Sequence, residues 1–236
     1  MFKKTHLIFA TIYVLFTILL LVLIYKFGLN APEKIIELIK ENNQISDFID
    51  KNITVSSIGY VLISVIWIFL LGLVSPLLFF SSFFFNFKLG FLLSIFAFTL
   101  GATLTYIVAN NFFEEIAKKY LNKKFPNLKN LNTENSVFYF FMLRLIPGIP
   151  YSLKNIMAIF FNLNTKKFFL ITLLAELPQI LILMNIFLGF KKVINNNDDY
   201  DLENLLSLEI FFPVLGLFFF LLLAYFIKKK FFKKVF

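Results

Sequence analysis

The sequence predicts an all-α polytopic membrane protein, with four transmembrane helices and two opposed re-entrant helical hairpins. Three observations predict it. Of the 236 residues, 59% are hydrophobic and 16% charged, against about 45–50% and about 25% in soluble chains. A soluble fold of this length cannot bury so much apolar surface. Uncharged stretches of span length recur along the chain, and two of them are interrupted by proline.

Leu7 to Tyr25 is the first span, 19 uncharged residues or roughly 28 Å of helix. Met1-Phe2-Lys3-Lys4 before it resembles the start of a signal peptide. The apolar run is too long for one, and no small-residue cleavage site follows, so the span is read as retained. Asn30 to Lys51 carries an apolar stripe of Ile35, Ile36, Leu38 and Ile39 beside Glu33, Lys34, Glu37, Lys40 and Glu41. That pattern fits a helix on the membrane surface or a small helical hairpin outside it.

Asn52 to Phe87 has 36 residues without a charge. As one helix it would measure about 54 Å, beyond a hydrocarbon core of about 30 Å. Pro76 interrupts it, and the remainder is too short to cross alone. A re-entrant hairpin entering through 56–74 and turning near Ser75-Pro76 accommodates both facts. Such a turn has to be buried in protein or line a cavity.

Leu89 to Phe113 is the next span. Glu114 to Lys123 is amphipathic, with favourable i,i+4 pairs Glu114–Lys118 and Glu115–Lys119, and Pro126 ends it. Ser136 to Leu163 is the second interrupted segment. Its arms flank Arg144-Leu145-Ile146-Pro147-Gly148-Ile149-Pro150, which cannot continue a helix. Phe168 to Phe190 is a span carrying Glu176 and Pro178. Ile210 to Ile227 is the last, closed by Lys228, Lys229, Lys230, Lys233 and Lys234.

With four full spans and two hairpins, most lysines fall on one side. Lys3, Lys4, Lys118, Lys119, Lys123, Lys124, Lys129, Lys166, Lys167 and the tail lysines share it, so both termini are expected in the cytoplasm of a cell-membrane protein. Phe84-Phe85-Asn86 recurs as Phe160-Phe161-Asn162, each after a proline-broken segment and before a span. One span separates the units, so the hairpins enter from opposite faces, an inverted repeat of the kind transporters use. The organisation is 1–54 (span and surface helix), 55–190 (membrane domain with both hairpins) and 191–236 (polar loop, last span and Lys-rich tail).

The chemistry available is narrow. The chain has no cysteine, and His6 is its single histidine. Cys-ligated metals, thiol nucleophiles and His clusters are therefore ruled out, and no catalytic triad or phosphate-cradling Gly loop is present. The chain is read as a non-enzyme without metal or cofactor. The net charge of +9 sits beside apolar spans, which suits anionic or phosphate-bearing lipid headgroups rather than nucleic acid.

Arg144 is the single arginine, deep in an apolar run, and an ionised group there marks a functional site. A half-helix starting near Pro150 would place Ser152, Lys154 and Asn155 beside it. Together they read as a lipid-phosphate pocket, for which arginine's bidentate fork is suited. The alternative is that Arg144 snorkels or pairs structurally with Glu176. Glu176 itself could pair with Arg144, carry a coupling proton, or make a structural hydrogen bond. Pro76, Pro147, Gly148, Pro150 and Pro178 are read as helix breakers. Gly72, Gly90, Gly101 and Gly189 are read as close-packing positions.

Leu143-Arg144-Leu145-Ile146-Pro147-Gly148-Ile149-Pro150 is followed by Asn155, Phe168, Thr172, Pro178 and Gly189, and preceded by Pro76, Gly90, Gly101 and Tyr106. Over about residues 55–190 the chain resembles the DedA-like proteins carrying the VTT domain, the SNARE-associated Golgi protein family. The resemblance implies two opposed re-entrant hairpins and transport of lipids across the bilayer. Bacterial relatives are linked to undecaprenyl phosphate recycling or to phosphatidylethanolamine, and eukaryotic relatives act as phospholipid scramblases. This chain departs from the pattern in two places. Its first hairpin has no acidic residue, and Glu176 stands where relatives often have glycine.

The leading expectation is translocation of phosphate-bearing lipids between leaflets, by a scramblase or flippase. A non-transporting membrane scaffold and a proton-coupled small-solute transporter using Glu176 are the alternatives. Homo-oligomerisation is compatible with any of them.

Overall fold

A computed structural model describes residues 43–124, 135–146, 149–196 and 208–231. The expected span Leu7–Tyr25, most of Asn30–Lys51, Pro147, Gly148, the 197–207 loop and the end of the lysine tail lie outside the described residues. The described chain is helical throughout, without strands. Three of its helices are long and apolar enough to cross a membrane.

The chain divides into two units, Met1–Gly59 and Tyr60–Phe236. In the first, α1 (Asn43–Lys51) ends where the Asn52 side chain donates to the Phe48 carbonyl. α2 (Ile53–Leu70) begins there and continues into the second unit.

The second unit starts with a chain reversal. α2 stops at Leu70, and Gly72 adopts φ +66. Its N–H reaches back to the Ile68 carbonyl at 3.1 Å. This is a left-handed helix end, which glycine adopts without a Cβ penalty. The Trp67 indole N–H donates to the Leu73 carbonyl at 2.9 Å, satisfying backbone that the break leaves without a helical partner.

α3 (Ser75–Phe84) then carries Pro76 in its first turn, where its missing N–H costs nothing. The turn expected at Ser75-Pro76 is therefore corrected to Leu71–Val74. Proline starts the returning helix, and the glycine makes the break. α3 runs back along α2: Tyr60 stacks on Phe80 and meets Phe85 edge-on, and its hydroxyl bonds the Leu77 carbonyl and Ser94.

Asn86 caps α4 (Phe87–Phe112), accepting from Leu89 N–H at 2.9 Å. α5 (Glu114–Lys124) follows, and its exposed Lys118–Glu114 pair closes at 2.6 Å. α6 (Ser136–Leu145) and α7 (Tyr151–Met157) form the second folded-back pair, with a 3₁₀ turn at Ala158–Phe161. Phe140 lies 5.6 Å from Phe161 across it. Asn162 takes a left-handed conformation, and Asn164 caps α8 (Thr165–Asn196) by accepting from Lys167 N–H. In each half a short helix after the break leads to a long helix capped by asparagine, Asn86 in the first and Asn164 in the second.

The two halves interlock. The Tyr106 hydroxyl, on the long helix after the first break, donates to the Leu163 carbonyl at the exit of the second. Lys191, on the long helix after the second break, donates to the Phe83 carbonyl at the exit of the first. α9 (Leu208–Phe231) lies against α8 and α6 and turns Phe212, Phe219 and Phe226 outward. A helix apolar all round is what a lipid surround selects.

Gly90 and Gly101 keep the close-packing role expected of them. A Cβ on Gly101 would lie 2.7 Å from Ile68 Cβ and 2.9 Å from the Val65 carbonyl. Neither atom is the free end of a flexible side chain. Gly101→Val is expected to push α4 from α2 and to cost about 1–3 kcal/mol or more. A lowered unfolding midpoint in detergent checks it; a midpoint equal to wild type would mean the helices are not so closely packed. Gly72 is different: it serves the break, not helix packing.

Candidate functional site

The second break surrounds a buried cluster of charge. Arg144 is in the last turn of α6, and its residue is 0% exposed. Its NH1 donates to Asn155 Oδ1 at 3.0 Å, and its NH2 to Glu176 Oε1 at 3.0 Å. Glu176, on α8, is 2% exposed. The guanidinium carbon lies 5.5 Å from the Phe140 ring, 5.3 Å from Tyr151 and 5.5 Å from Phe168. Three aromatic faces at that range stabilise a cation electrostatically.

Helix-end chemistry explains the rest of the cluster. The Arg144 carbonyl is one of the last four of α6, which have no intrahelical donor. Lys154 Nζ donates to it at 2.8 Å and Gln179 Nε2 at 3.3 Å. A cation at a helix C-terminus also meets the negative end of its dipole. Lys154 is buried, so this contact and its charge lie inside the protein. Tyr151, which opens α7, ties the cluster to α4 by donating to the Phe98 carbonyl.

Buried atoms are left over. Arg144 Nε, Asn155 Nδ2 and Thr172 Oγ1 have no hydrogen-bond partner among the described residues. Buried donors without acceptors are uncommon, because each bears the full cost of desolvation. Pro178, expected to break its helix, instead sits inside a continuous α8. Having no N–H, it also leaves the Leu174 carbonyl without its helical donor.

An apolar groove of 410 Å³ lies between α6 and α8, lined by Val137, Phe138, Phe141, Ile171 and Leu174 with Asn135 at one end. Val137 and Phe141 stand at i−7 and i−3 from Arg144, on the same helix stripe.

Of the residues expected in a phosphate pocket, Arg144, Lys154 and Asn155 come together. Ser152 lies elsewhere: its Oγ is 1.8 Å from where a Cβ on Gly72 would stand, at the meeting of the two breaks. α7 is only seven residues long, and its first turn contributes no anion site to the cluster. The contacts are side-chain contacts instead. The pairing of Arg144 with Glu176, one of the readings given for each residue, is formed.

Gln179, Thr172 and the cage of Phe140, Tyr151 and Phe168 were not singled out as site residues. Phe168, Thr172, Glu176 and Gln179 follow i, i+4, i+8 and i+11 spacing along one face of α8. That spacing was the available signal.

Known proteins match this region. The VTT domain model matches residues 71–188. A "Transmembrane protein 41 homolog" of Dictyostelium discoideum is 25% identical over 173 residues, which is 70% of this chain and 50% of that protein. The chain thus spans about half the length of the curated relative it matches. No solved structure matches the chain significantly. The matched stretch takes in both helix breaks, the Tyr106–Leu163 tie between the halves and the buried Arg144 cluster, and by it the chain belongs to the VTT-domain family of membrane proteins.

Proposed function

We propose that this protein moves phosphate-bearing lipids between the leaflets of a cell membrane, without acting as an enzyme. In this reading the two folded-back pairs are opposed re-entrant hairpins between four spans, and both termini are cytoplasmic. The observation that carries it is the Arg144 cluster: a buried cation with an N–H unpaired among the described residues, at a helix break, on the same α6 stripe as an apolar groove. A headgroup phosphate requires the first and an acyl chain the second. The groove volume falls in the range of ordinary ligand sites, about 300–1,000 Å³. Proline-broken segments at membrane depth supply a route where lipid alone has none.

The membrane lipids are the partners this reading names. Arg144 and Asn155 engage the phosphate, with Lys154 adding charge, while Ser152 works at the contact between the two breaks. The test is dithionite quenching of labelled phospholipid in proteoliposomes. Wild-type protein is expected to expose inner-leaflet label much faster than empty vesicles, and Arg144→Ala to abolish the excess. Wild-type vesicles no faster than empty ones, under a pH gradient as well as without one, would overturn the reading.

A further inference from the structure

The buried cluster has a countable charge. Arg144 and Lys154 are positive and Glu176 is negative; all three are buried and joined through direct contacts. No other charged residue takes part among the described residues, so the cluster carries +1. A lone net charge in a membrane interior is costly unless something offsets it. Independently, Arg144 Nε and Asn155 Nδ2 are buried donors with no acceptor among the described residues. Charge and hydrogen bonding therefore ask for the same thing, an acceptor carrying one negative charge.

We propose that the cluster is charge-matched to a lipid phosphodiester, and that Glu176 is the residue that sets this match. This rests on the lipid-translocation reading and names its substrate class. A phosphodiester carries −1 and brings the cluster to zero. A phosphomonoester carries about −1.5 to −2 at pH 7 and leaves excess negative charge buried. Glu176 supplies that discrimination by already occupying one arm of the Arg144 fork. Without its charge the cluster is +2 and suits the monoester dianion.

The experiment measures unfolding midpoints of the purified full chain in detergent at pH 7, against rising concentrations of three probes. These are short-chain phosphatidylglycerol (a diester), short-chain phosphatidic acid (a monoester) and dimethyl phosphate. Stabilisation by a bound ligand reports its apparent affinity. Wild type is expected to prefer phosphatidylglycerol by roughly tenfold, since one uncompensated charge at close range costs at least that much. Glu176→Gln keeps an acceptor for Arg144 and is expected to reverse the order. Dimethyl phosphate is expected to act far more weakly than either lipid.

The same preference in wild type and Glu176→Gln would overturn the charge match while leaving lipid translocation standing. No stabilisation of wild type by either lipid would overturn both. Equal stabilisation by dimethyl phosphate would make the ligand a soluble phosphodiester and remove the lipid from the proposal. If Glu176→Gln does not fold, Lys154→Gln decides. It brings the cluster to zero without ligand and is expected to lower phosphatidylglycerol affinity by roughly tenfold; unchanged affinity would overturn the match.

Discussion

Arg144→Ala is expected to lower the stability of the protein by about 3–5 kcal/mol, the cost of breaking a buried ion pair by removing one partner. The loss comes mainly from what remains. Glu176, at 2% exposure, would lose the 3.0 Å contact that offsets the burial of its carboxyl group. Asn155 Oδ1 would lose its donor as well. The partner variant Glu176→Ala strands the arginine in the same way, although its aromatic cage of Phe140, Tyr151 and Phe168 persists.

The double variant removes both charges together. It is expected to be more stable than the sum of the two losses implies, with a coupling of about 0.5–3 kcal/mol. Denaturant midpoints of the four proteins in detergent measure it. Losses that simply add would mean that the two side chains do not interact. Arg144→Lys is expected to recover only part of the stability, because an ammonium cannot hold two acceptors in a planar fork and stack on rings.

Gly72→Ala is the second large expected effect. Two independent costs act there. The backbone is at φ +66, a conformation that costs an L-residue with a Cβ roughly 1–2 kcal/mol. The new Cβ would also meet Ser152, 1.8 Å from Oγ, 3.1 Å from Cβ and 3.2 Å from the backbone nitrogen. The hydroxyl can rotate, but the two backbone-linked atoms cannot move without shifting α7.

The breaks of the two halves are thus in contact, and the substitution is expected to separate them. Adding Ser152→Gly to Gly72→Ala should restore the steric part and leave the dihedral cost. An unfolding midpoint for the double variant between wild type and Gly72→Ala is the expected order. A double variant no better than Gly72→Ala would show that the contact with Ser152 contributes nothing.

Much of this architecture can be read from residues alone, and the reasons are local. Two prolines and a glycine within four residues, at 147–150, cannot extend α6, because proline lacks an N–H and clashes with the preceding turn. Asn86 caps the helix that follows because its side chain accepts from the backbone three residues on. The position of the first break is less legible. Ser75-Pro76 looks like a turn in sequence, yet proline is equally at home in a first helical turn. Gly72 looks like a packing residue, and only its dihedral angle reveals the reversal. Asn162 and Asn164 are likewise told apart only in the structure, since asparagine serves both left-handed turns and N-caps.

In the site, the arginine announces itself. One cation in an apolar run between broken helices requires a partner in any membrane fold. Which partner is a different matter: Asn155 and Glu176 lie 11 and 32 residues away. Ser152, equally polar and equally near in sequence, turns to the other half of the molecule.

By itself the sequence determined the solvent this protein lives in, that no helix continues through 147–150, and the need of Arg144 for a counter-charge. These follow from transfer energies and backbone chemistry, which belong to single residues and their immediate neighbours. The tertiary structure decided which carboxylate meets Arg144, which donors remain unpaired, and that the breaks touch at Gly72 and Ser152. Those depend on how two interlocked halves bring distant side chains to about 3 Å, the contact that hydrogen bonds require, and nothing in linear order records which groups will meet there.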